Sequence, residues 1–311
     1  MRPIFAAALP AVSPAPVISP ETLAHVADAL TVLARAGLPA LEARMLVSHV
    51  TGLSRVQLIT QDTYAIADAA RAQISELATR RLAGEPMAYL LGEREFFGRT
   101  FKVTPAVLIP RPDTELLVEQ ALDRIEERDA PAVLDMGTGS GIIAITIALA
   151  RRDARVWATD ASADALAVAM DNAQTLGATN LHAALGDWYG ALAETDAPPA
   201  FDLIASNPPY IAAADEHLGQ GDLRFEPTGA LTDHDDGLKH LRTIIAGAPA
   251  RLAAGGWLLL EHGYDQGEAV RALLSDAGFA DVFTAQDLAD HDRCSGGQWP
   301  DQNADGRSSL K

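Results

Sequence analysis

Asn207-Pro208-Pro209-Tyr210 follows the apolar run Phe201 to Ala205 and carries the residue types for holding a nitrogen. Two prolines straight after a buried strand end it and stiffen the backbone, so carbonyls that would have paired in a sheet are free to accept from a ligand. Asn207 adds a side-chain carbonyl and Tyr210 a flat ring. A planar amide or exocyclic amine is a poor nucleophile because its lone pair is delocalised. If both its N–H groups donate to Asn207 Oδ1 and the Pro208 carbonyl, the nitrogen is held with its lone-pair axis aimed at an electrophile. Orientation of this kind can supply several kcal/mol, up to roughly 7–11 in favourable cases. No strong general base is needed, since the nitrogen becomes acidic as its new bond forms. The pocket also prefers an amide to a carboxylate, which would face two acceptors with nothing to donate. A mismatch of that kind is worth on the order of 10⁴ in discrimination. A merely stiff, capped loop could have the same residues. Its place at the carboxyl end of a parallel strand favours the ligand reading.

The electrophile is suggested by Val133-Leu134-Asp135-Met136-Gly137-Thr138-Gly139-Ser140-Gly141, a buried strand running into a helix. Glycines at alternate positions let the backbone turn sharply and approach a ligand, and the helix N-terminus favours a carboxylate. Such turns also bind dinucleotides. Asp135 discriminates, because a carboxylate inside this motif can meet a cationic aminoacyl group but would repel a pyrophosphate. Asp160 ends the second strand, 19 residues after Gly141, where it can accept from both ribose hydroxyls. Trp188 can stack on adenine while Asp187 accepts from its amine. Asp135, Gly137, Thr138, Ser140, Gly139, Gly141, Asp160, Asp187, Trp188 and Asn207 are therefore candidate contacts of S-adenosyl-L-methionine, whose methyl sulfonium is the electrophile.

These loops need a scaffold. After Ala130 short apolar strands (132–134, 156–159, 181–185, 201–205, 257–260, 282–285) alternate with amphipathic helices (142–150, 163–176, 238–252, 266–277), which predicts a doubly wound α/β sheet. From Pro20 to about Arg81 the apolar spacing is helical: Leu23, Val26, Leu30 and Leu33 share one face, and Leu41, Met45, Leu46 and Val50 another. A longer helix is expected over 66–82, giving a small bundle suited to docking rather than catalysis. Between Phe96 and Pro110 the pattern alternates, predicting a hairpin of Phe101-Lys102-Val103 and Val107-Leu108-Ile109 with Gly98 and Pro105 as turn residues. Asp113 or Thr114 can cap the helix that follows. The expected division is a flexible segment 1–19, a helical domain 20–92, a β-hairpin linker 93–112 and a catalytic domain 113–311.

The chain has 311 residues and is 48% hydrophobic, enough for a sizeable core. Its 42 acidic against 24 basic residues give a formal charge of -18, and its lysines are Lys102, Lys239 and Lys311 alone. A surface built to neutralise phosphates needs clustered cations, so direct nucleic-acid binding is not expected. Cys294 stands alone, which excludes an internal disulfide and a multi-cysteine metal site. The apolar stretch Ile4 to Val12 is interrupted by prolines, unlike a secretory signal, and no apolar run approaches the ~18 residues of a membrane span. A cytoplasmic protein without bound metal is expected, and nothing demands more than a monomer.

Taken together, Leu108-Ile109-Pro110-Arg111-Pro112-Asp113-Thr114-Glu115, the glycine loop, Asp160, Trp188 and Asn207 to Tyr210 followed by Ile211 resemble the release factor glutamine methyltransferases, the HemK or PrmC family. The likeness covers nearly the whole chain. It implies a seven-stranded class I S-adenosylmethionine-dependent methyltransferase (Rossmann-like) domain preceded by a small helical bundle and the hairpin. It also implies methylation of the glutamine N5 in the Gly-Gly-Gln motif of bacterial class I peptide chain release factors, which the helical domain would dock. By carry-over Gly137 to Gly141, Asp160, Trp188 and Asn207 contact the cofactor; Asn207, Pro208, Pro209 and Tyr210 hold the glutamine. Arg111 and Glu115 either shape the pocket or simply start a helix.

Three rivals remain. A ribosomal protein L3 glutamine methyltransferase would carry a different sequence after the Pro-Arg pair. An adenine-N6 nucleic-acid methyltransferase shares the Asn-Pro-Pro-Tyr motif but predicts a basic face and a recognition insert. The chain from Tyr210 to Leu238 is instead short and acidic, with Asp215, Glu216, Asp222, Glu226, Asp233, Asp235 and Asp236. A non-catalytic cofactor-binding module predicts binding that survives Asn207→Ala without methyl transfer. One departure from the family is Cys294-Ser295-Gly296-Gly297-Gln298, where a basic or apolar closing strand is expected. Its Gly-Gly-Gln raises automethylation, although a three-residue match in a closing hairpin is more simply coincidence.

Overall fold

The computed structural model describes residues 17–301. Most of the segment 1–19, the stretch Ile4 to Val12 and the last ten residues therefore lie outside the described residues. The chain divides into two compact units, Met1–Leu91 and Gly92–Lys311.

In the first unit five helices, α1 (Val26–Arg35), α2 (Ala40–Thr51), α3 (Arg55–Thr60), α4 (Asp68–Leu82) and α5 (Met87–Leu91), close around Leu23, Leu33, Leu46, Val47 and Ile74. Ile18 belongs to this core and its carbonyl accepts from Ser75 Oγ, so the chain is already anchored at that point. The inward stripe of α2 is Ala43, Leu46 and Val47, with Val50 packed against it, and Leu41 is 58% exposed. The face expected from Leu41 and Met45 is thus rotated, because small Ala43 admits the close approach of neighbouring helices. Helix α3 has a sequence signal that periodicity overlooks: Ser54 and Gln57 form a reciprocal capping box.

The second unit opens with the hairpin β1 (Glu93–Phe96) and β2 (Arg99–Lys102). The expected register is corrected here. Phe97 and Gly98 form the two-residue turn, both with positive φ, as a hairpin's twist requires. Val107 to Ile109 form no strand; the Ile109 N–H instead donates to Glu226 at 2.9 Å. Phe96 and Phe101 are buried in the same core cluster as the sheet's helices, so the hairpin packs as part of this unit.

After α6 (Thr114–Arg124) the chain alternates β3 (Ala132–Met136), α7 (Ile142–Ala150), β4 (Arg155–Asp160), α8 (Ala163–Leu176), β5 (Leu181–Leu185) and β6 (Phe201–Ser206). It continues with α9 (Thr228–Leu231), α10 (Lys239–Gly247), β7 (Leu252–Glu261), α11 (Gly267–Asp276), β8 (Ala280–Gln286) and β9 (Asp292–Gln298). The predicted helix 238–252 stops early: Pro249 lacks an N–H, and Leu252 already belongs to β7. The seven strands lie in the order β5-β4-β3-β6-β7-β9-β8, parallel except for β9. This is the α/β class I methyltransferase architecture expected from the sequence. Alternate residues of each strand feed opposite cores, Val133, Leu203 and Leu259 on one face, Leu134, Ile204 and Leu258 on the other.

Candidate active site

Connections run opposite ways from β3, to β4 and β5 on one side and to β6 and β7 on the other, so a crevice opens at the carboxyl ends of β3 and β6. Register places those ends level. Met136 pairs with Thr159 and with Ser206, Ser206 with Leu260, and Asp160 with Leu185. Ser206 Oγ also donates to the Met136 carbonyl at 2.7 Å. The glycine loop, Asp160, Gly186 to Trp188 and Asn207 therefore emerge side by side, around a cavity of about 410 Å³. That is the size of a small-molecule site.

Gly137, Gly139 and Gly141 all have positive φ, which side-chain-bearing residues rarely adopt. The Gly137 and Thr138 amides donate to the Thr159 carbonyl, Gly139 to Asp160 Oδ2 at 2.9 Å, and Gly141 to the Thr138 carbonyl. Three of these N–H groups are spent on the end of β4 and one within the loop, and Ile142 and Ile143, in the first turn of α7, face the cavity. Gly137, Thr138, Gly139 and Ser140 line the wall; Gly141 does not. A Cβ on Gly141 would come 3.2 Å from that of Ala169, so this glycine serves helix packing.

Asp160 lines the cavity while accepting from Gly139 and from the Ser162 N–H. Asp135 lies beneath the loop, fully buried and off the wall. Its Oδ2 accepts from Thr138 Oγ1 at 2.6 Å and the Ala144 N–H at 3.2 Å, and its Oδ1 has no partner. Burial raises its pKa to about 7 against these two hydrogen bonds. A buried, unpaired carboxylate oxygen under the loop fits a cationic ligand group.

Asp187 and Trp188 also line the cavity, with the Trp188 ring 3.8 Å from where a Cβ on Gly137 would sit, and Trp188 meets His240 of α10 with ring centroids 5.1 Å apart. Desolvation lowers the His240 pKa, keeping it neutral. Asn207 and Pro209 line the cavity; Pro208 is buried and Tyr210 turns away from it. The Tyr210 ring packs on the second core cluster and its hydroxyl donates to Glu261 Oε1 at 3.3 Å. Burial and the adjoining carboxylate push its pKa up, so the hydroxyl stays protonated.

The Leu108 to Glu115 segment contributes to the wall through partners that no motif announces. Arg111 lines the cavity and pairs with Glu226, whose buried carboxylate also takes the Ile109 N–H. Glu226 thus fastens the segment before α6 to the loop after β6. Asp233, another acid of the stretch between Tyr210 and Leu238, is also buried, accepting from the Asp235, Gly237 and Lys239 amides. Glu115 accepts from the Phe97 N–H, a structural role. Asn172 of α8 bonds both backbone groups of Lys102 and the Ser140 carbonyl, tying β2 to the glycine loop. Thr114, Ala106 and His240 reach the wall only through the fold.

Gly296 and Gly297 sit inside the sheet. A Cβ on Gly296 would meet the Leu258 carbonyl at 2.7 Å and Leu259 Cδ2 at 2.5 Å. Gln298 pairs with Trp257, in the middle of β7, and donates to the Gly255 carbonyl at 3.0 Å. It stands four residues from the carboxyl end of β7, about 13 Å along the strand. Close packing of β9 between β7 and β8 accounts for these glycines.

Residues 23–92 match the PrmC N-terminal domain family and residues 112–222 the methyltransferase small domain family. A release factor glutamine methyltransferase of Bordetella pertussis is 59% identical over 265 residues, covering 85% of this chain and 97% of that protein. One from Escherichia coli is 44% identical over 272 residues, covering 88% and 96%. Among solved structures, the hMettl16 catalytic domain in complex with MAT2A 3'UTR hairpin 1 aligns with a TM-score of 0.55 at 13% identity, covering 88% of this chain and 92% of that one. A methyltransferase from Pyrococcus furiosus aligns with a TM-score of 0.50 at 17% identity, covering 73% and 100%. These two likenesses concern the fold.

Proposed function

The chain belongs to the release factor glutamine methyltransferases, and from that membership we propose that it methylates the N5 nitrogen of the glutamine in the Gly-Gly-Gln motif of class I peptide chain release factors. The observation that carries the site assignment is the level register of β3, β4, β6 and β7, which sets Asn207 and the glycine loop on one cavity. S-adenosyl-L-methionine, when bound, supplies a methyl group on a cationic sulfur. Asp160 accepts from its ribose, Asp187 and Trp188 receive its adenine, and Asp135 balances the charge of its aminoacyl end from below the loop.

Asn207 Oδ1 and the Pro208 carbonyl accept the two N–H groups of the substrate amide. Pro209 fixes the carbonyl's direction, and Tyr210 buttresses the loop from the core side, its ring on the second cluster and its hydroxyl on Glu261. The helical unit is the natural docking element for the release factor, with Val56 and Ile59 of α3 exposed at 68% and 69%. Among the described residues no helix is long and apolar enough to cross a membrane.

Incubation with labelled cofactor and three acceptors, a release factor, ribosomal protein L3 and duplex DNA, tests this reading. Label is expected on the release factor glutamine alone, located by mass spectrometry. Label on L3 or DNA with an unmodified release factor overturns it.

A further inference from the structure

The far end of the acceptor loop is held by a side chain from another element. Gln266, half-buried just before α11, donates through Nε2 to the Tyr210 carbonyl at 3.0 Å and to the Gly237 carbonyl at 3.3 Å. Its Oε1 accepts from the Gly263 N–H at 2.9 Å. Most amide side chains can be turned over to suit their partners. This one cannot, because a backbone N–H only donates and a backbone carbonyl only accepts. Gln266 therefore joins the end of β7, the acceptor loop and the stretch after α9 in a single orientation.

Each of these three places is itself anchored. The Gly263 carbonyl accepts from the Gln266 N–H at 2.9 Å and from His262 Nδ1 at 2.8 Å. His262 is fully buried, and its Nε2 meets Ser295 Oγ of β9 at 2.7 Å, so the Cys294 to Gln298 segment ties this turn to the sheet. A Cβ on Gly237 would stand 2.5 Å from the Tyr210 carbonyl oxygen and 2.8 Å from Gln266 Nε2, a closeness that only glycine allows. Just beyond Tyr210 the Ile211 N–H donates to the Leu231 carbonyl and the Ala213 N–H to the Asp235 carbonyl, both at 3.0 Å.

Between the end of β6 and Tyr210 the rings of Pro208 and Pro209 fix φ. A segment this stiff does not absorb a displacement of the Tyr210 carbonyl but passes it on to the Pro208 carbonyl and Asn207. We propose that Gln266 is a positioning residue for methyl transfer, which by clamping the Tyr210 carbonyl holds the Pro208 carbonyl and Asn207 where the substrate amide must face the methyl donor. The inference rests on the reading of Asn207 and Pro208 as acceptors of the substrate amide. Gln266 itself is not on the cavity wall. Its effect therefore falls on the rate of transfer rather than on binding.

Two variants of the full chain test this: Gln266→Met, which keeps the length without a donor, and Gln266→Glu, which keeps the shape but sets a carboxylate against two carbonyl oxygens. A misplacement of about 1 Å can cost on the order of 100-fold in rate, so kcat on a release factor should fall roughly 10- to 100-fold in both. KM for the release factor and cofactor affinity should stay within about threefold of the parent. Hydrogen exchange at the Ile211 and Ala213 amides should quicken about tenfold or more, with the amides of the glycine loop unchanged. A parent-like kcat or parent-like exchange in either folded variant overturns the proposal. So does a fall in kcat matched by a comparable loss of cofactor affinity, since a purely structural role predicts that result. Should neither variant fold, the parent decides: the side-chain N–H signals of Gln266 should exchange slowly with solvent, and fast exchange overturns the assignment. A parent enzyme inactive on release factors refutes the proposed function instead, while the exchange measurements still decide whether Gln266 holds the loop.

Discussion

Cofactor affinity should depend on pH through Asp135, whose buried carboxyl titrates at about 7 in the free protein. A cationic aminoacyl end binds the ionised form, so the apparent affinity follows the ionised fraction. With a midpoint of about 7, that fraction is roughly 0.09 at pH 6 and 0.91 at pH 8, a rise of about tenfold that levels off above pH 8. Asp135→Asn removes the titration. At pH 8 it should cost about 1.5–3 kcal/mol, the attraction of opposite charges roughly 6–11 Å apart at an effective dielectric constant of about 20, or roughly 10- to 150-fold in Kd; at pH 6 the gap should narrow about tenfold. Calorimetric titration with S-adenosylhomocysteine, which keeps the ammonium, measures the slope. Methylthioadenosine, which lacks the aminoacyl end, provides the control and should show a flat profile. The sign also appears in stability. The folded protein holds a proton that the unfolded chain releases near 3.8, the ordinary aspartate value, so the free enzyme loses stability as pH rises from there to about 7, and cofactor should restore it. A flat parent profile, or the same slope in Asp135→Asn, refutes the reasoning.

Asn207→Ala should abolish transfer to a release factor while cofactor affinity stays within about tenfold; radiolabel transfer and calorimetry read the two separately, and equal activity would remove Asn207 from its role. Glu226→Ala leaves the Ile109 N–H without its acceptor and Arg111 without its counter-charge. Because Arg111 is one-third exposed, a loss of about 1–3 kcal/mol in urea unfolding is expected, less than for a fully buried pair. Gly296→Ala forces a methyl group against the Leu258 carbonyl and should cost about 1–3 kcal/mol by overpacking. Its melting temperature should fall with the active-site residues untouched, whereas methylation of Gln298 in the parent enzyme would reopen a functional role for that segment.

The local chemistry was legible from residue types. Asn207 followed by two prolines declared a stiff loop after a buried strand, the alternate glycines of 137–141 declared a strand-to-helix turn, and helices 142–150 and 163–176 emerged with the bounds predicted, the first through the burial of Ile142 to Ala148 and the second through its Ser162 cap and Gly177 stop. Where local signals were ambiguous, neighbours decided. Val107 to Ile109 alternates as a strand would, yet the Phe97-Gly98 turn closes the hairpin early and Glu226 takes the Ile109 N–H. Leu41 reads as core, but α2 turns Ala43 inward instead.

The site divides the same way. Sequence by itself determined which side chains can hold a nitrogen and a cationic cofactor, since these follow from donors, acceptors and charge. Tertiary structure alone decided that Pro208 and Tyr210 stand behind the wall rather than on it, that Asp135 lies under the loop, and that Glu226, Thr114, His240 and Glu261 belong to the site. The physical reason is that these last residues come from four separate segments of the chain. Parallel strands held in register bring their ends level, and no periodicity or motif in a single segment encodes that meeting.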